Sequence, residues 1–138
     1  MLLFVSANTC KILCYITYKS NHNIQAVLKT GILEKILECL TSEEKSILIP
    51  ALQTIKNIVR MDEMDESDVS ILADYLPHVC TLLRNHHAKS ACFLYENITK
   101  EIVLIIFGMI KNNQIQNVID AGLLPPMIKI FVGVSMFM

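Results

Sequence analysis

Cys10 and Cys14 stand four residues apart with His22 close behind, a spacing that puts both sulfurs on one face of a helix. Thiolates and an imidazole so placed could begin a zinc face, but a zinc site needs four converging ligands, or three and a water. No second cluster supplies them, so these cysteines read as small hydrophobes of the core. His86-His87 is a second candidate pair, placed in an expected insertion where solvation accounts for it. A cysteine nucleophile needs an electropositive, partly exposed setting, and nothing selects one. The chain has no phosphate-cradling glycine loop, no Gly-x-Ser-x-Gly and no kinase signature. No catalytic residue, metal ligand or cofactor is expected, and the chain does not read as an enzyme.

Composition narrows the remaining choices. Across 138 residues the formal charge is −1 and the pI about 6.4, which gives no sign of the clustered basic face of a nucleic-acid binder. Hydrophobic residues make up 53% and mean hydropathy is +0.46, as if helices were buried on more than one side. No apolar run approaches the roughly 20 residues of a membrane span, so no membrane partner is expected. The start, Met1 to Ala7, has no basic region ahead of its short apolar stretch and does not read as a signal peptide. Five cysteines, an odd set without a CxxC pair, fit a reduced compartment. The sequon Asn97-Ile98-Thr99 carries no weight there.

The elements that would position any site are set by a repeat. Ile24-Gln25-Ala26-Val27-Leu28-Lys29-Thr30-Gly31-Ile32-Leu33 returns 91 residues later as Ile115-Gln116-Asn117-Val118-Ile119-Asp120-Ala121-Gly122-Leu123-Leu124. A worn copy, Ala73 to Leu83, registers with Thr30 to Leu40 at an offset of 43 and with Ala121 to Phe131 at 48. Helical self-similarity at about 40–47 residues is the signature of armadillo or HEAT stacking. Such a solenoid offers an extended face of successive helices rather than a closed cleft, so a binding surface is the first expectation.

Each unit parses as a short helix, a glycine break, a second helix, a loop and a longer third helix. Asn23 to Lys29 is a first helix ended by Gly31. Ile32, Leu33, Ile36, Leu37 and Leu40 form the stripe of a second. Thr41 to Glu44 reads as a loop with an N-cap, ahead of a third helix from Ser46 to Arg60. The acidic run from Asp62 to Asp68 reads as a solvated joint. Helices are then expected at Val69 to Leu72, Leu76 to Arg84 and Thr99 to Lys111, with a loop insertion near 84–98. Gln114 to Asp120 and Leu123 to Phe131 follow, and Ala7 to Tyr18 reads as a third helix standing before the first full unit. The parse is therefore 1–22, 23–62, 63–112 and 113–138: an all-α solenoid of about two and a half armadillo repeats, read as a fragment with uncovered stacking faces.

Aligned by these repeats, the chain resembles importin-α (karyopherin-α). Pro50-Ala51-Leu52-Gln53-Thr54-Ile55-Lys56-Asn57-Ile58-Val59 is similar to that family's PALRTVGNIV segment, and Gln114 to Leu123 to its QIQxVIDAGL. Thr99-Lys100-Glu101 resembles the lead-in to its KEAxW helix, and Cys10 to Tyr15 its CWALSY helix. The order matches about the fifth to seventh of ten repeats. The resemblance implies a right-handed superhelical solenoid and an adaptor of cytoplasm and nucleus that recognises basic nuclear-localisation signals for import. In that family, tryptophan and asparagine four apart project from successive third helices, the indoles stacking on peptide lysines and the asparagines binding the peptide backbone.

Carried onto this chain, the tryptophan-equivalent positions are Lys11, Gln53 and Leu104, and the asparagine-equivalent positions Tyr15, Asn57 and Gly108; the chain has no tryptophan. Lys11, Leu104 and Gly108 are thus degenerate groove positions. Tyr15, Asn57 and Gln53 are the expected peptide contacts, with Glu101 the expected charge contact for a cationic peptide. The alternative is an armadillo scaffold that has lost signal-peptide binding. The basic importin-β-binding segment of the family has no counterpart in this chain.

Overall fold

A computed structural model describes residues 2–61, 63–87 and 93–137, and among these only helices and turns occur. Eight α-helices follow one another: α1 Leu2–Thr17, α2 Asn21–Lys29, α3 Leu33–Glu38, α4 Lys45–Val59, α5 Glu66–His87, α6 Phe93–Lys111, α7 Ile115–Asp120 and α8 Leu124–Phe137. A 3-10 turn, Cys39–Thr41, extends α3.

Local chemistry sets most of the boundaries. Ser20, in extended backbone, accepts the amide of Asn23 at 3.1 Å and so caps α2. The chain leaves α2 through Gly31 at φ +75° and leaves α7 through Gly122 at φ +77°, conformations that cost a side-chain-bearing residue about 1–2 kcal/mol. The equivalent position of the middle unit is Asp74. Without a glycine there the helix does not break, and the expected pair Val69–Leu72 and Leu76–Arg84 is instead the single helix α5. Pro77 lies inside it, removing one backbone donor without ending the helix. The expected insertion near 84–98 is also largely helical. Its first residues continue α5, its last residues open α6 at Phe93, and only 88–92, with Cys92, lie outside the described residues.

The third helices form a wall in which α4 lies between α1 and α6, backed by α2, α3, α5, α7 and α8. Between the two layers runs one core, with Leu37, Leu40, Leu52, Ile55, Leu76, Leu83 and Ile102 at most 1% exposed. Side-chain bonds tie the backing layer across units. The His78 ring meets the Leu40 carbonyl at 3.0 Å, and the Cys80 thiol donates to the Gly122 carbonyl at 3.3 Å. Ala7, Cys10 and Ile47 make a satellite cluster under α1. Burial, with Cys39 alongside at 4.0 Å between sulfurs, pushes the Cys10 thiol up to about 12, so it is a core thiol at neutral pH. Apolar side chains are exposed at Ile12 and Ile16 on α1 and at Leu124 and Ile128 on α8.

Candidate functional site

Three hollows lined by described residues open on the wall. The largest, 540 Å³, lies between α1 and α4 and is lined by Lys11, Tyr15, Tyr18, Gln53, Lys56 and Asn57 over a floor that includes Ile49 and Pro50. The second, 350 Å³, lies between α4 and α6 against Arg60, Leu104, Phe107, Gly108, Lys111 and Asn112. The third lies between the α1–α2 turn, the start of α2 and the end of α4, and shares Asn57 with the first and Arg60 with the second. Lys11, Tyr15, Gln53, Asn57, Leu104 and Gly108 therefore all meet this surface. Glu101 lines none of the three.

Position on the wall is not the same as availability. Tyr15 is 80% exposed and free to meet a ligand. Asn57 is buried, and its amide donates to the Cys14 carbonyl at 3.1 Å and to Thr17 Oγ1 at 3.2 Å. Both N–H groups expected to hold a peptide backbone are spent on the end of α1. Thr17 is fully buried, and its hydroxyl bonds the Leu13 carbonyl at 2.8 Å, which completes the knot. Gln53 Oε1 accepts the Cys14 thiol at 3.7 Å. Burial pushes that thiol up, partly offset by the Lys56 ammonium and Asn57 beside it.

Glu101 departs further from its expected role. It does not sit in the first turn of its helix, because α6 begins at Phe93. It is buried, with Oε2 2.8 Å from Lys56 Nζ. A carboxylate in a charge-assisted pair with its own chain's ammonium has little left for a cationic ligand. The sequence reading missed Lys56 because the two residues lie on different helices.

Gly108 is an element of packing. A Cβ built on it would stand 2.7 Å from Val59 Cγ2 and 3.3 Å from the Val59 carbonyl oxygen. α6 lies tight against α4 here, and an asparagine would have to displace Val59. One turn later Asn112 donates its amide to that same Val59 carbonyl. At both joints of the wall an asparagine, Asn57 in α4 and Asn112 just past α6, therefore satisfies a carbonyl near the end of the preceding helix, as helix ends require.

Two exposed rings on the wall each have one of the chain's own cations close by. Lys19 Nζ lies 5.2 Å from the centre of the Tyr18 ring, and Lys111 Nζ 5.9 Å from that of Phe107. Both are within reach of cation–π attraction. Phe107 and Lys111 form an i,i+4 pair that could have been read from the sequence. Among the described residues no group of three metal-ligating side chains comes together, and no helix is long and apolar enough to cross a membrane.

Residues 20–60 match the family model of the armadillo/β-catenin-like repeat. Over 128 residues, 90% of this chain, the sequence is 34% identical to importin subunit alpha-1a of Oryza sativa subsp. japonica, covering 22% of that relative. It is 40% identical over 86 residues to importin subunit alpha-1b of the same plant and 36% identical over 86 residues to importin subunit alpha-3 of Arabidopsis thaliana. Each of these two matches takes in 62% of this chain and 16% of the relative. The chain thus spans about a fifth of the length of the first relative and less of the other two. The armadillo match, the helical wall and these relatives agree: the chain belongs to the importin-α family of armadillo-repeat proteins.

Proposed function

We propose that this chain is a segment-binding armadillo module of the importin-α type, without catalytic activity, whose ligand is an extended stretch of another protein laid along α1, α4 and α6. One observation carries the reading: one hollow lies between α1 and α4 and a second between α4 and α6, and a third beside the end of α4 shares Asn57 with the first and Arg60 with the second. Repeats bounded near 23–62 and 63–112 place one third helix each on the wall, and α1 adds another. Import of cargo between cytoplasm and nucleus is the role its family supplies.

The inherited ligand, a lysine-rich nuclear-localisation peptide, is expected to bind only weakly. Glu101 is occupied by Lys56, Lys11 lies exposed in the largest hollow, and no indole is present. Each missing cation–π contact forfeits about 0.5–2 kcal/mol, which takes a micromolar ligand toward millimolar. Lys11→Trp with Leu104→Trp puts two indoles on the wall and removes a repelling charge, and should tighten a labelled lysine-rich peptide by about tenfold or more. Fluorescence anisotropy of the full chain checks this. Submicromolar binding by the unaltered protein would refute the weak-binding expectation, and no gain in the double variant would take the ligand off this wall.

A further inference from the structure

We infer that the segment this wall accepts is acidic, with carboxylate side chains alternating with apolar ones, the reverse in sign of the cargo its relatives suggest. The inference rests on the segment-binding reading above and names the ligand class for that site.

Charge is the first ground. The hollows are lined by Lys11 and Lys56, by Lys19, and by Arg60 and Lys111, and among the described residues no aspartate or glutamate lines any of them. The nearest wall acid, Glu101, neutralises Lys56 at 2.8 Å and is buried beneath the surface. That leaves Lys11, Lys19, Arg60 and Lys111, all exposed. The acidic joint after α4, where Glu63 and Asp65 are exposed, lines none of these hollows. A net charge of −1 for the whole chain therefore conceals a cationic wall, and such local fields steer oppositely charged ligands.

The second ground is independent of that count. An aromatic face attracts a cation, and a cationic peptide would supply it from outside. Here Lys19 and Lys111 supply it from within, over Tyr18 and Phe107. A ring that already meets one cation gains less from a second of the same charge. It holds an ammonium in place, and a held ammonium is a donor for a carboxylate. Between these cations lie Tyr15, Ile49, Pro50 and Leu104, an apolar lining that suits alternating apolar side chains. Base stacking on single-stranded nucleic acid draws on successive open aromatic faces, and of the wall's rings Tyr18 and Phe107 each already meet a lysine. A peptide is the better occupant.

The test titrates the full chain with three labelled probes: a peptide of alternating glutamate and leucine, its lysine and leucine counterpart of equal length, and a single-stranded oligothymidylate. The acidic peptide should bind about tenfold tighter than the basic one, with affinity falling as salt rises. Lys11→Gln with Arg60→Gln, both at exposed positions, should weaken it about tenfold. Lys29→Gln with Lys129→Gln, on α2 and α8, should leave it unchanged. Tighter binding of the basic peptide overturns the sign of the site while the segment-binding reading stands. Tighter binding of the oligothymidylate overturns the peptide assignment, and equal losses in both double variants overturn the location. If neither peptide binds and Lys11→Trp with Leu104→Trp also gains nothing, the segment-binding reading falls as well.

Discussion

Glu101→Leu should be the most damaging single change on the wall. It strips the partner from Lys56, whose side chain keeps only 16% exposure. Removing one member of a buried ion pair costs about 3–5 kcal/mol, chiefly because the other charge is left unpaired. The remaining exposure of Lys56 argues for the lower end. For a chain of this size that corresponds to a melting temperature lower by about 10 °C. Adding Lys56→Met removes the stranded charge and should recover most of the loss, since an apolar replacement of such a pair is often close to neutral. Thermal melts followed by circular dichroism check both. A Glu101→Leu protein that melts like the unaltered one would mean that the pair does not hold α4 to α6.

Gly108→Asn should also destabilise. An asparagine there would complete the pattern its relatives suggest, and on sequence alone it reads as a gain of a peptide-binding amide. The structure reverses the sign. The new Cβ would meet Val59 Cγ2 at 2.7 Å, and valine, branched at Cβ, has little rotamer freedom with which to yield. Forcing extra atoms into such a contact costs typically about 1–3 kcal/mol. Gly108→Ala alone should destabilise too, although alanine in a helix interior otherwise gains about 0.5–1 kcal/mol over glycine. Val59→Ala combined with Gly108→Ala should recover part of the loss. Urea midpoints of the three proteins decide it, and a stabilised Gly108→Ala would show that α4 and α6 do not approach this closely.

These two cases mark where the sequence stops being legible. The solenoid could be read because its apolar stripes recur with helical period and because Gly31 and Gly122 punctuate two of the three units at the same place. The middle unit was misread for the complementary reason. Asp74 stands where the glycine would be, and a helix continues unless something ends it. Positions on the wall were legible from the repeat register: Lys11, Tyr15, Gln53, Asn57, Leu104 and Gly108 all meet its hollows. Their states were not. Glu101 finds Lys56 only once α6 lies against α4, and Asn57 gives its amide to Cys14 and Thr17 only once α4 lies against α1. Pairings between helices depend on packing, which a periodic pattern does not encode. Net charge was equally uninformative, because acids in the joints cancel cations that share one wall.

A bound segment, whatever its sign, should lie along α1, α4 and α6. Backbone amide chemical shifts of the full chain, followed during titration with the glutamate–leucine and lysine–leucine peptides in turn, locate it. For whichever peptide binds, the largest saturable shifts should fall at Lys11, Tyr15, Gln53, Asn57, Arg60 and Leu104, with α3 and the outward side of α5 unmoved. Shifts concentrated on that backing layer, or on the exposed apolar face of α8, would contradict a ligand-binding wall built from α1, α4 and α6.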